Sequence, residues 1–146
     1  MTTRRIVTGL DAHGKSTVLI DGPSDMVAWA TTGVPVDNSG AADTGGAFSF
    51  AMPASGSKFL MIEFPPTPPG ELSGPGIHST DTIDYLTVVK GEIVMITETG
   101  EVTCRAGDMI VDRGVLHGWR NDGAETALVS CVMIDATPVG AGATHK

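Results

Sequence analysis

The chain has 146 residues, with 19 glycines, 9 prolines, 5% aromatic residues and a formal net charge of -8. That length suits one domain with a real core, and the glycine and proline content suits an all-β chain rich in turns. The acidic balance excludes nucleic acid and anionic membrane as partners, since both need a basic face.

In chain order, residues 4–8 and 16–20 read as a hairpin closed by Asp11-Ala-His-Gly14, with His13 a solvated turn residue. Gly9 to Ser16 matches the phosphate-loop pattern G-x4-G-K-[ST] letter for letter. That mechanism needs a helix opening at Lys15-Ser16, and Thr17-Val-Leu-Ile20 before Gly22-Pro23 cannot supply one, so the hairpin is expected and nucleotide binding is not. No apolar signal core follows Arg4-Arg5 and no run of 18 apolar residues occurs, so neither a secretory leader nor a membrane span is expected. A cytoplasmic location follows, with Cys104 and Cys131, which lack CxxC or zinc spacing, as free buried thiols.

From Ala28 to Ser57 the residues are small and polar, and 37–46 reads as a mobile loop, either a lid or a plain surface excursion. Phe59 to Phe64 is a strand, ended by a stiff proline-rich connector that runs to Gly76. Then come His78, strands at 85–89, 93–97, 102–105 and 109–111, the segment His117–Asn121, and a closing apolar strand at 126–134. This short, even spacing belongs to a barrel or sandwich rather than to βαβ units. Residues 135–146 read as a frayed tail in which His145 is no ligand candidate.

Strand period puts i and i+2 on one face, so His78 pairs with Thr80 and His117 with Trp119. An inward Asp84 brings Leu86 and Val88 with it, and Met61 and Met133 add soft surface to the pocket. Three side chains stay open between two roles. Asp81 either competes with Asp84 or caps a turn; Glu63 is either an inward acid or an outward residue at a strand end. Arg113 and Arg120 either meet a substrate carboxylate or pair with surface acids.

These residues resemble the two motifs of the cupin superfamily, G-x5-H-x-H-x3/4-E-x6-G and G-x5-P-x-G-x2-H-x3-N. Asp84, with six residues between it and Gly91, takes the glutamate's place, His78 the first histidine's and Thr80 the second's. In the second motif Gly107, Gly114, His117 and Asn121 match, over a spacer one residue short and with Arg113 set at the proline. The resemblance covers about a third of the chain. It implies an all-β, single-domain cupin, a jelly-roll-like antiparallel barrel with few or no helices. N-terminal strands and a flexible loop would fill 1–57, the barrel core 58–135 and the tail 136–146. A homodimer is implied too, because such barrels pack sheet to sheet.

The resemblance further implies His78, Asp84 and His117 as ligands of a divalent ion (Fe, Mn, Zn or Ni), since two imidazoles and a carboxylate hold such ions with open positions left for substrate. Thr80 would place water or substrate, and the chemistry would be that of a lyase, decarboxylase or oxygenase on a small organic metabolite. A metal-free alternative is a dehydratase, cyclase or isomerase with His117 as acid or base, Asp84 orienting it and Tyr85 nearby. Non-catalytic ligand binding is a third reading. In the plainest case the polar residues only satisfy one another. Expected pocket walls are Thr80, Leu86, Val88, Trp119 and Met133.

Overall fold

The computed structural model describes residues 2–40, 42–140 and 142–144. Their ten strands are β1 (Arg4–Leu10), β2 (Ser16–Pro23), β3 (Val27–Thr31), β4 (Ser57–Phe64), β5 (Thr82–Lys90), β6 (Glu92–Thr97), β7 (Gly100–Arg105), β8 (Met109–Asp112), β9 (His117–Arg120) and β10 (Ala127–Asp135). No helix occurs among the described residues, so none there is long and apolar enough to cross a membrane.

Three sheets form: the ribbon β1-β2, a five-stranded sheet β3-β4-β10-β5-β8 and a three-stranded sheet β7-β6-β9. β10 is apolar at nearly every position and holds the centre of the larger sheet, antiparallel to β4 on one side and β5 on the other. Alternation sorts the faces. On β5, Thr82, Asp84, Leu86 and Val88 are buried while Tyr85 and Val89 face out. Leu60, Phe64, Leu86, Val88, Val129 and Met133 from the larger sheet meet Ile93, Met95, Cys104 and Trp119 from the smaller one. Each such side chain contributes roughly 1.5–3 kcal/mol by leaving water. The inner face thus carries an apolar core at one end and the polar residues of β5 at the other.

The phosphate-loop pattern lies in the β1–β2 hairpin. Asp11 closes the turn, its Oδ1 accepting the His13 and Lys15 amides at 2.8 and 3.0 Å, and Ser16 opens a strand. No helix N-terminus is there to hold phosphate. β3 was not expected: Val27-Ala-Trp-Ala-Thr31 is short and of mixed polarity, yet it pairs with β4 and sends Val27 into the core.

The structure favours one of the two readings of the 37–46 loop and corrects the expectation for the tail. The far end of the 37–46 loop is pinned by the Arg5–Asp43 ion pair and by the Gly46–Val27 bridge, and its described residues stay off the central cavity, so it is a surface excursion and not a lid. The described tail residues, 136–140 and 142–144, are docked rather than frayed. Thr144 N donates to Ser79 O at 3.0 Å, Ser79 Oγ to Gly142 O at 3.1 Å, and Ala136 N to Asp81 O at 3.0 Å. His145 lies outside the described residues.

One corner decides where the polar residues land. Gly114, between β8 and β9, has φ of +74°, and a Cβ there would sit 2.8 Å from Thr80 O and 3.0 Å from Thr82 O. Only glycine lets this corner close against the start of β5. The corner places Asp112 on one side and His117 on the other.

Candidate functional site

His78 and His117 form an isolated antiparallel bridge, His78 N donating to His117 O at 2.9 Å and His117 N to His78 O at 3.0 Å. Residues paired this way project to one face of the ladder, and the imidazole centroids are 4.6 Å apart. Both rings are buried and line a cavity of about 540 Å³ between the sheets. The two distant histidines do arrive at one enclosed spot.

Each ring is held at Nδ1. His78 Nδ1 donates to Gly76 O at 2.8 Å, and His117 Nδ1 donates to Val115 O at 2.8 Å with Asp112 Oδ2 3.0 Å away. An Nδ1–H aimed at these acceptors fixes the tautomer and leaves the lone pair on Nε2. Asp112 is 2% exposed and His117 3%. The other carboxylate oxygen, Oδ1, accepts the Gly114 and Val115 amides at 3.1 and 3.4 Å. Asp112 is therefore a bracket that fixes both the corner and the imidazole it delivers.

Asp84 lies directly across the ladder from Asp112 and is also buried. Two buried carboxyl groups side by side are costly, because the ionised form of each disfavours that of the other. Asp84 absorbs the cost. Burial chiefly drives its pKa from 3.8 to about 6, opposed by the Thr82 hydrogen bond and reinforced by the Asp112 charge, while His117 pulls it down. Thr82 Oγ1 donates to Asp84 Oδ1 at 2.7 Å, and Thr80 Oγ1 lies 2.7 Å from Thr82 Oγ1. Threonine at 80 thus joins a hydroxyl chain running to the carboxyl.

The structure divides the expected site residues. Thr80, Asp84, Leu86, His78, His117, Trp119 and Met133 line the cavity together. Val88 does not: at 1% exposed it is packed further along the barrel in the core. Tyr85, expected as a catalytic neighbour, has the opposite parity from Asp84, is 48% exposed and lies outside the cavity, out of reach of a molecule held there. Met61 shares the outward parity and is absent from the wall as well. Glu63 is an exposed residue at the end of β4 bordering the cavity, and Asp81 turns toward a second cavity of about 330 Å³ with Thr80 and Asp135. Arg120 is bound by Glu101 and Asp122, and Arg113 is exposed away from the cavity.

Four contributions went unseen in the sequence. Asp112 is the first: the P-x-G pattern places its proline two residues before Gly114, at Asp112, not at Arg113, and the sequence reading assigned the aspartate there no role. The proline-rich connector is a wall of the cavity, with Pro65, Pro66, Pro68 and Pro75 against it. Phe48 and Phe50 complete the wall. Cys131 also reaches the cavity; it and Cys104 are buried free thiols, each with its pKa raised by burial. Asn121 of the second motif is structural, its Nδ2 donating to Phe64 O at 2.7 Å and to Glu125 O at 2.9 Å.

The expected metal set does not close. Among the described residues no three His, Cys, Asp or Glu side chains converge as ligands of one ion. The imidazoles supply two donors, Thr80 replaces a third with a hydroxyl engaged by Thr82, and Asp84 accepts from Thr82. These residues do not fit a resident three-ligand centre.

Comparison with known proteins bears on the fold and the lineage. A family model described as "Cupin domain" matches residues 67–134. The chain is 32% identical over 139 residues to phomopsin biosynthesis cluster protein C' of Diaporthe leptostromiformis, covering 82% of this chain and 71% of that one. It is 30% identical over 158 residues to the cupin-domain-containing oxidoreductase srdD of Neurospora crassa, covering 92% and 76%. A solved cupin of double-stranded β-helix fold from Methanocaldococcus jannaschii superposes with a TM-score of 0.46 at 16% identity, over 54% of this chain and 70% of that one.

Proposed function

The chain belongs to the cupin superfamily, and from that premise we propose that it is an enzyme that moves protons on a small organic molecule held inside the barrel, as an isomerase, dehydratase or cyclase. The observation that carries this reading is the buried His117–Asp112 pair, Nδ1 to Oδ2 at 3.0 Å, with His117 and Asp84 lining one cavity.

Two groups take opposite roles. His117, with Nδ1–H held by Val115 O and Asp112, offers Nε2 as a base, and Asp112 stabilises the imidazolium that forms. Asp84, its pKa raised to about 6, keeps its proton in mildly acidic solution where an ordinary carboxyl group has lost it, and serves as the acid. In an enolisation His117 takes a proton from carbon while Asp84 gives one to the carbonyl oxygen. Return at a second carbon makes an isomer, and protonation of a departing hydroxyl instead releases water. His78, its tautomer set by Gly76 O, is a second acceptor on the same polar end.

A second reading follows from the two adjacent imidazoles and from relatives described as oxidoreductases: a divalent ion bound with ligands from outside the residues seen here. Elemental analysis of protein purified without chelator, repeated on His117→Ala, separates the two. Metal below one-tenth of the protein in both samples supports proton transfer. Stoichiometric metal in the wild type, lost in the variant, overturns it. In parallel, wild type is expected to catalyse hydrogen–deuterium exchange next to the carbonyl in a panel of cyclic ketones, and His117→Gln to abolish it.

A further inference from the structure

The cavity has a charge pattern that selects its occupant. Among the described residues no Lys or Arg lines it, and the acids that reach it are Asp84, buried, and Glu63, exposed at its border. Lys58 is buried nearby but is spent elsewhere: Nζ donates to Ser49 O at 2.8 Å and to Ala51 O, and lies 5.7 Å from the Phe48 ring. Arg120 is fixed outside by two acids. A phosphate or carboxylate entering this cavity would leave water for a mostly apolar place that no Lys or Arg lines, at a penalty that hydrogen bonds from the imidazoles offset only in part.

The aromatic residues give the shape. Phe50 meets His78 edge to face at a centroid distance of 5.7 Å, and Trp119 meets His117 the same way at 5.6 Å. Phe64 backs Trp119 at 6.1 Å. Each imidazole is flanked by an aromatic plate, so a flat ring lodged against these plates presents its own substituent to the two histidines and Asp84. The volume of about 540 Å³ is that of an ordinary small-molecule site.

We infer that the substrate is an uncharged, largely apolar ring compound bearing a hydroxyl or carbonyl at one end, bound ring-inward with that oxygen at His78, His117 and Asp84, and that phosphorylated and carboxylated molecules are excluded. This deepens the proton-transfer reading by naming what is bound. It stands or falls on binding alone, so turnover is not needed to judge it.

The test is calorimetric titration of the full chain at pH 7.5 with three probes sharing one ring system: 2-naphthol, 2-naphthoate and 2-naphthyl phosphate. The neutral phenol is expected to bind, and both anions to bind at least about tenfold more weakly, a modest figure for burying an uncompensated anion. Leu72→Arg, which adds a cation to the wall, should narrow or invert the preference between 2-naphthol and 2-naphthoate, with circular dichroism showing that the variant folds. Trp119→Leu, also checked for folding, should weaken 2-naphthol by roughly tenfold through the lost aromatic contact. Absent binding of 2-naphthol, equal or tighter binding of either anion, or an unchanged preference in folded Leu72→Arg overturns the inference. Selective binding of the phenol with no proton exchange on any ketone sinks the enzymatic reading and leaves this one intact.

Discussion

Replacing Asp84 by asparagine should make the protein more stable at neutral pH and leave it unchanged in acid. Asp84 is 8% exposed and its pKa is raised from 3.8 to about 6, chiefly by burial. A carboxyl group with a raised folded pKa binds its proton more tightly when folded, so the folded state gains nothing below 3.8, where both states are protonated, and loses stability as pH rises through about 6. The difference between 3.8 and about 6 corresponds, at about 1.4 kcal/mol per unit, to roughly 3 kcal/mol. Asparagine keeps the size and the oxygen that accepts from Thr82 but cannot ionise. In urea titrations from pH 3.5 to 8, the advantage of Asp84→Asn over wild type should grow from near zero to ~3 kcal/mol, or on the order of 6–12 °C in melting temperature for a chain of this length. A difference that stays flat across this range would refute the reasoning. So would a wild type that is the more stable at pH 8, the outcome expected if Asp84 were ionised against a bound cation, which added chelator would then reverse.

Asp112→Asn should lower activity by about 10²–10⁴-fold, because an amide NH₂ opposed to His117 Nδ1–H disfavours the tautomer with the Nε2 lone pair; steady-state kinetics on the first compound found to turn over measures it. Its fold should survive, since an Asn Oδ1 still accepts from the Gly114 and Val115 amides. Gly114→Ala combines a φ of +74° with a Cβ 2.8 Å from Thr80 O, and should cost about 1–3 kcal/mol in denaturant titration while also lowering activity. Leu60→Ala, at a position 2% exposed, should cost about 2–5 kcal/mol with little change in the pH dependence, which confines its effect to packing.

The barrel was legible because its strands declare themselves locally. Alternation in 82–90, glycine corners at Gly91, Gly107 and Gly114, and the apolar run of β10 each follow from period-2 burial and turn chemistry. β3 was not legible: Ala28-Trp-Ala carries no alternation, and it is a strand because β4 offers it a free edge. The docked tail hid for the same reason, since its hydrogen bonds go to Ser79 and Asp81, more than fifty residues away, and nothing in Pro138-Val-Gly140 announces them.

Within the site, parity predicted Leu86 and Trp119 correctly and, applied strictly, already argued against Tyr85, whose neighbour Asp84 faces in. Parity failed for Val88 because facing inward does not decide which end of the barrel a residue serves. The histidines could be found from the spacing of the two motifs that the chain shares with cupins. The aspartate that governs one of them could not, since Asp112 becomes its neighbour only when the glycine corner folds back.

Thr80 and Asp112 together change what this pocket can do. A histidine at 80 would have supplied a third imidazole and completed a ligand set; threonine instead ties Asp84 into a chain of hydroxyls, where burial makes the carboxyl a holder of protons. On the neighbouring strand Asp112 holds His117 at Nδ1, the contact on which the proposed base rests. On the proposed reading, an acid and a base then face one largely apolar chamber. Supplying the donor that the cupin motif carries tests whether this frame can close on an ion: Thr80→His should raise affinity for added Fe(II) or Zn(II) at least about tenfold in a competition assay with a metal-sensing dye. If metal affinity stays at the wild-type level, the distance between Asp84 and the imidazoles, and not the residue at 80, is what keeps the site from closing on an ion.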